Sequence, residues 1–171
     1  MYRIGQGYDR HRLAPARKLV IGGVVIDSEF GTVSHSDGDV LLHAVVNALL
    51  GAIGEGDIGL HFSDRDERLR GADSATFVSD AMERVKRAGF RVVNLDATVL
   101  AEKPRLAPFR QAMETRIAEL VEVDPEAVNV KFGTGEGIGT VGRGAAVEAQ
   151  VVVLLTRTTD AGQKPDPRRS S

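Results

Sequence analysis

The stretch SHSDGDVLLHA, residues 34–44, holds two histidines, two aspartates and two serines, and an apolar run begins partway through it. His43 lies four residues beyond Asp39, one helical turn on, among apolar neighbours. A second pair stands upstream in Asp9-Arg10-His11. Residues two apart in a strand point to the same face, so a carboxylate and an imidazole would meet there. Each group has an ordinary alternative. The triplet fits a surface Asp and His in a loop, and His43 fits a core histidine bonded to Asp39. Together, Asp9, His11 and His43 supply three oxygen and nitrogen ligands and leave a fourth position open. That is the pattern of a catalytic zinc, since structural sites are closed by four protein ligands.

Other residues suit an anion. His35, Ser36 and Asp37 stand at the start of the helix that carries His43, where backbone N–H groups suit a phosphate. Ser36 and Asp39 also fit a capping-box-like start, so ordinary capping explains Ser36 equally well. Asp57, Gly59, Asp64 and Asp66 lie in an acidic segment able to hold sugar hydroxyls or a second metal, or to be a solvated loop. Lys131 to Gly144, KFGTGEGIGTVGRG, follows a predicted strand and resembles an anion nest of backbone amides. It lacks the G-K-[ST] ending of a Walker A loop, and a hairpin connection is the plain alternative. Glu136 is the lone carboxylate in that loop; beside phosphates it calls for a cation between them.

Composition narrows the classes. The 171 residues are 42% hydrophobic and 27% charged, suited to one globular domain with a sizeable core. A formal net charge of -2 gives no reason to expect a nucleic-acid partner. The chain has no Cys, which excludes thiolate zinc sites, disulfides and Cys nucleophiles. Residues 1–10 lack a signal-peptide apolar region, and VVVLL at 151–155 is too short to span a bilayer, so a cytoplasmic protein with no membrane partner is expected.

The elements that must position these residues can be read in turn. YRIGQGYDRHR reads as a strand turning into a loop, with two glycines that allow close backbone approach. KLVIGGVVID reads as a hairpin about Gly22-Gly23. Val40–Ile53 is helical and apolar on nearly all sides, hence buried within the domain or against another subunit. Residues 54–73 read as loop. Ser74 to Ala88 is a helix with Phe77, Val78, Ala81, Met82 and Val85 as its apolar stripe. FRVVNLDATVLA is a strand. A helix follows from about Arg105 to Val121, with Leu106, Phe109, Met113, Ile117 and Leu120 inward. Asp124-Pro125 caps a short turn, VNVKF is a strand, and VEAQVVVLLT is the last strand. The fold class is α+β, a mixed β-sheet with helices packed on one face. A single domain is expected over 1–157, with a disordered tail over 158–171.

The motifs, taken together, resemble the 2-C-methyl-D-erythritol 2,4-cyclodiphosphate synthase family. The stretches that carry the resemblance are RIGQGYDRH, LVIGGV, HSDGDVLLHA, GDIGLHFSD, GADS, LAEKPRL, and VNVK followed by GEGIGTVGRG. They run in the family's order and spacing from Arg3 to about Thr156. The resemblance implies a homotrimer with active sites shared between neighbouring subunits. It implies one zinc per subunit on Asp9, His11 and His43. His35 and Ser36 would line the site at the methylerythritol phosphate end, with His35 and Thr134 as catalytic residues. Asp57, Gly59 and Asp64 would hold the hydroxyls, and Ala101, Pro104 and Arg105 would form a cytidine pocket. Thr134, Glu136 and Arg143 would handle the diphosphate, with magnesium or manganese bridging it to Glu136.

The implied substrate is 4-diphosphocytidyl-2-C-methyl-D-erythritol 2-phosphate, whose own 2-phosphate attacks the β-phosphorus and releases cytidine monophosphate (CMP). That nucleophile is already ionised near pH 7, its second pKa being about 6. A chain rich in ligands and glycine loops but poor in nucleophiles suits such a reaction. Two other readings stand beside it: a metal-dependent phosphoester hydrolase, and a non-catalytic trimeric zinc protein that binds a phosphorylated ligand.

The chain departs from the family's pattern in places. Arg105 stands where Lys is usual. Gly133-Thr134-Gly135-Glu136 replaces the usual threonine run before Glu. Thr140 replaces an aromatic, Ala145-Ala146 replaces Glu-Gly, and Asn47 stands where Asp is frequent. The glycines lead us to expect a loop that is mobile without ligand and is stiffened by threonine at 133 and 135.

Overall fold

A computed structural model describes residues 1–63 and 66–158. Asp64 and the tail from 159 onward lie outside the described residues. The strands are β1 (Tyr2–Pro15), β2 (Leu19–Ile21), β3 (Val24–Ile26), β4 (Phe30–Val33), β5 (Phe90–Leu100), β6 (Val128–Gly133) and β7 (Ala146–Arg157). The helices are α1 (Val40–Ile53), α2 (Ile58–His61), α3 (Ser74–Arg87), α4 (Arg110–Val121) and α5 (Gly139–Gly142). Five strands form one sheet in the order β4-β1-β7-β5-β6. The β5–β6 pair is parallel and the other neighbours are antiparallel, so the sheet is mixed as expected. The β2–β3 hairpin stands apart as a two-stranded ribbon turning at Gly22 and Gly23, both with positive φ.

β1 is longer than the sequence suggests. It does not give way to a loop within YRIGQGYDRHR but pairs with β7 from Tyr2 to Arg12, and with β4 from Arg12 to Pro15. Asp9 and His11 therefore lie within a strand paired to β7, not at a frayed end. Their face is the one under α1. On that face Gly5 and Gly7 bring the sheet against the helix backbone: a Cβ on Gly5 would lie 1.9 Å from the Ala48 carbonyl oxygen, and one on Gly7 would lie 1.9 Å from that of Ala44.

α1 begins and ends where its residues predict. Asp39 is its N-cap, accepting from the backbone N–H of Leu41 and Leu42, and Gly54 closes it in the left-handed region. The capping-box reading is corrected here: Ser36 lies outside the helix, and Asp39 is the cap rather than its distal partner. The carboxylate has further work, since it also accepts from the N–H of Gly22 at 2.8 Å and Gly23 at 2.6 Å. It thus binds the hairpin turn to the helix that carries His43. Burial pushes this carboxyl up, while N–H donors from Gly23, Leu42 and Gly22 pull it back towards ionisation. The apolar surround of α1 is filled within the chain: Val40, Leu41, Leu42, Val45, Val46, Leu49 and Leu50 are fully buried against β1, β7 and α3.

Three segments differ from the sequence reading. Residues 54–73 are not loop throughout, because α2 and a 3-10 turn over Glu67–Leu69 lie within them. The helix expected from Arg105 begins at Arg110, preceded by a 3-10 turn over Ala107–Phe109. Pro108 sits in that turn without an N–H to give, which favours the start of a helix over its interior. β4 was not anticipated. The stripe of α3 is as expected, with Phe77, Val78, Ala81, Met82 and Val85 all buried.

Candidate functional site

α1 lays His43 over β1 so that three polar atoms converge. Asp9 Oδ2 lies 3.0 Å from His11 Nε2 and 3.0 Å from His43 Nδ1, and the two ring nitrogens lie 3.0 Å apart. The side chains retain 23%, 15% and 9% of their exposure, so the cluster is open on one side only. Burial alone would raise the Asp9 carboxyl; hydrogen bonds and charge from His11 and His43 outweigh it and hold the group well below the usual carboxylate range. The bland reading of His43, a bond to the Asp39 carboxylate, is not what the side chain does. Its ring faces Asp9 on one nitrogen and Ser36 and Ser74 on the other.

The donor set fits zinc. One carboxylate oxygen and two imidazole nitrogens are its preferred non-thiolate ligands, and three of them leave a position for substrate. A tetrahedral ion with bonds of about 2.0–2.2 Å spaces its donors at roughly 3.3 Å, close to the triangle seen here.

The triad forms part of the wall of a cleft of about 240 Å³, with His35, Ser36 and Gly59 also on its surface. His35 Nε2 lies 2.9 Å from the Asp66 carbonyl oxygen. A carbonyl only accepts, so Nε2 carries a proton. Asp66 is itself fixed by Arg68, whose guanidinium hydrogen bonds hold its carboxyl at about 2. Asp57 caps α2 through the N–H of Leu60, next to Gly59.

Ala101, Pro104 and Arg105 do come together. With Leu106, Gly133 and Thr134 they surround a second hollow of about 150 Å³, which shares no residue with the first. Thr134 donates to Glu136 Oε1 at 2.9 Å, and Glu136 holds a positive φ of 50°. Arg143 follows Gly142, which packs against Gly135. It lines a third hollow with Leu13, Phe30, Glu102 and Lys103. The glycine-rich loop is closed on itself by the N–H of Ile138 to Gly135 and of Gly142 to Ile138, and the N–H of Gly135 is held by Glu102. The idea that threonine at 135 would stiffen it is corrected by the packing: a Cβ there would lie 2.3 Å from the Gly142 nitrogen. Gly133 is freer, with only the end of the Leu100 side chain in the way.

Two functional contacts escaped the sequence reading. Ser74, fully buried at the start of α3, sits 2.9 Å from His43 Nε2. Asn47 donates to the Tyr8 carbonyl at 3.2 Å and accepts from Ile58 N–H at 2.9 Å, tying β1 and α2 to α1 beside the triad. An Asp at 47 lacks the donor for Tyr8, which gives this departure a structural use. The motif GADS was the one signal for Ser74; nothing local marked Asn47.

The family model described as the YgbB family matches residues 2–156. A 2-C-methyl-D-erythritol 2,4-cyclodiphosphate synthase from Geobacillus kaustophilus is 51% identical over 158 residues, which is 92% of this chain and all of the relative. Among solved structures, the bifunctional IspDF from Campylobacter jejuni superposes with a TM-score of 0.88 at 37% identity. This chain is covered to 92% there but spans only 42% of the bifunctional chain. The Plasmodium falciparum IspF CDP complex superposes with a TM-score of 0.82 at 32% identity, covering 92% of this chain and 97% of that one.

Proposed function

The chain belongs to the YgbB family, and from that premise we propose that it converts 4-diphosphocytidyl-2-C-methyl-D-erythritol 2-phosphate into 2-C-methyl-D-erythritol 2,4-cyclodiphosphate and CMP, in isoprenoid precursor synthesis. It is a cyclising lyase. The observation that carries this reading is the convergence of Asp9, His11 and His43 on one point in a cleft that also presents His35 and Ser36. These three residues would hold zinc, which supplies Lewis acidity for a phosphoryl oxygen.

The chain's own contribution is orientation and charge. The substrate is a flexible polyanion that must fold into a ring, and holding it near the attacking geometry is worth about 7–11 kcal/mol. Ser36 and His35 serve the methylerythritol phosphate end. Asp57, Gly59 and Asp64 serve its hydroxyls. The hollow at Ala101, Pro104 and Arg105 takes the cytidine, a use supported by the CDP held in the Plasmodium falciparum relative. Thr134 and Glu136 stand at the edge of that hollow, where Glu136 would hold magnesium or manganese and Thr134 would donate to the transferring phosphoryl group. Arg143, in a hollow that shares Glu102 with this one, would complete the diphosphate site.

The reason to propose a homotrimer with shared sites is the sheet face away from α1, where Ile4, Tyr8 and Val152 keep 71%, 41% and 47% of their exposure. α1 gives no such argument, because its apolar surface is already used within the chain. Light scattering is expected to give three chains per particle; a stable, active monomer would contradict the shared site. No helix among the described residues is long and apolar enough to cross a membrane, and we place the enzyme in the cytoplasm.

Mass spectrometry of the products tests the reaction. Cyclodiphosphate and CMP are expected in equal amounts, and chelation of zinc is expected to stop both. CMP without the cyclic product would point to a hydrolase, and neither product to a binding protein.

A further inference from the structure

Behind His43, on the side away from Asp9 and His11, a second chain of polar contacts ends on a carboxylate. His43 Nε2 lies 2.9 Å from Ser74 Oγ. Ser74 Oγ donates in turn to Asp37 Oδ1, and the Ser74 backbone N–H donates to Asp37 Oδ2 at 3.1 Å. Asp37 also accepts the N–H of Asp39. These residues come from three places: the turn before α1, α1 itself and the first turn of α3. Asp73 caps α3 through the N–H of Ala75 and so fixes the aim of that turn. Three residues past Ser74, on the same face of the helix, Phe77 packs its ring against His43 with centroids 6.1 Å apart.

The direction of the hydrogens follows from chemistry. A carboxylate accepts and does not donate, so the Ser74 hydroxyl proton is committed to Asp37. The Ser74 oxygen can then only accept from His43. Nε2 must carry the imidazole proton, and Nδ1 is left with its lone pair. That lone pair is the one aimed at Asp9 and His11. Ser36 Oγ, at 3.1 Å from Nε2, is not committed in this way. Its hydroxyl can donate to Ser34, and its oxygen also receives the N–H of Gly38.

We propose that Asp37 and Ser74 form a hydroxyl relay that locks His43 in the tautomer presenting Nδ1 to Asp9 and His11. They are positioning residues for the metal site and do not touch substrate. The inference rests on the reading that Asp9, His11 and His43 hold a metal. Histidine ligands usually donate their second nitrogen to a carboxylate or carbonyl, and loss of such a partner costs about 10–100-fold in metal affinity. Here a serine lies between ring and carboxylate, so a neutral group carries the carboxylate's influence to the ring.

The test measures zinc affinity of the full-length protein by competition with a chromophoric chelator, together with proton NMR of the zinc-loaded form. Wild type is expected to bind one zinc per chain and to show a slowly exchanging His43 Nε2 proton. Ser74→Ala and Asp37→Asn are each expected to bind zinc about 10–100-fold more weakly and to lose the slow exchange of that proton. Ser74→Thr keeps the hydroxyl and is expected to retain most of both. If Ser74→Ala fails to fold, Asp37→Asn, which preserves shape, carries the test. Wild-type zinc affinity and a protected Nε2 proton in Asp37→Asn would overturn the relay while leaving the metal site intact. Zinc binding that survives His43→Ala unchanged would instead overturn the metal reading beneath it.

Discussion

Gly7→Ala is expected to be among the most damaging single substitutions in this chain, although it adds one methyl group. The new Cβ would sit 1.9 Å from the Ala44 carbonyl oxygen and 2.7 Å from the Ala48 nitrogen. Both are backbone atoms of α1, so no side-chain rotation relieves the overlap. Either the helix retreats from the sheet, opening a gap along Val45, Ala48 and Leu49, or β1 bows away from β7. Overpacking ordinarily costs about 1–3 kcal/mol, and a backbone clash in a fully buried layer belongs above that range. A loss of about 4 kcal/mol or more is a large part of a typical domain's stability of about 5–15 kcal/mol. It corresponds to a fall in Tm of roughly 8–16 °C for a chain of this size. The same helix supplies the control. Gly51 has only the Gln6 carbonyl oxygen near, at 3.8 Å from its would-be Cβ, and no positive φ. Gly51→Ala is expected to raise stability by about 0.5–1 kcal/mol through helix propensity. Thermal melts of the two variants check both signs, and equal melting points would show that the close approach of β1 and α1 is not needed.

His43→Ala is expected to remove the zinc and stop the cyclisation. His43 is the one member of the triad delivered by α1; Asp9 and His11, two residues apart on β1, do not by themselves make a site with only one open position. Loss of a Lewis acid worth several kcal/mol means a rate lower by about a thousand-fold or more, since each 1.36 kcal/mol is tenfold. The fold should survive, because the side chain lies at the floor of the cleft and not in the packed layer of leucines and valines. Metal analysis of the purified variant, its melt and its turnover are measured side by side. Wild-type turnover in a folded His43→Ala protein without zinc would sink the assignment of the triad.

Local signals carried much of this architecture. The bounds of α1 were legible because residues 40–53 form a run that is apolar except at His43 and Asn47, although the cap itself was misread: Asp39, not Ser36, holds the first N–H groups. The Gly22-Gly23 turn was legible from its own two residues. The pairing of Asp9 with His11 needed only the two-residue repeat of a strand. What escaped was decided at a distance. β4 is four residues long and is held by its pairing with the far end of β1, which no period announces. Ser74 read as a helix start, and its bond to His43 spans 31 positions. Gly135 read as added freedom, whereas its hydrogen is a fit against Gly142 seven residues on. The grouping of Ala101, Pro104 and Arg105 was available only through the family resemblance, because nothing in their types points to a pocket.

β1 also limits how this gene can change length. Gly5, Gly7, Asp9 and His11 look towards α1, and Ile4, Tyr8 and Arg10 look the other way. A single residue inserted between Gly7 and Tyr8 would, in unbroken register, move every later side chain of the strand to the opposite side. The carboxylate and imidazole would then leave the cleft, and Tyr8 and Arg10 would be pressed against a helix that tolerates only hydrogen at Gly7. Substitutions in this strand can be graded in their effects, but an odd-numbered insertion has no mild form. Indels in this part of the chain should therefore be confined to segments outside the strands, where no two-residue repeat has to be kept.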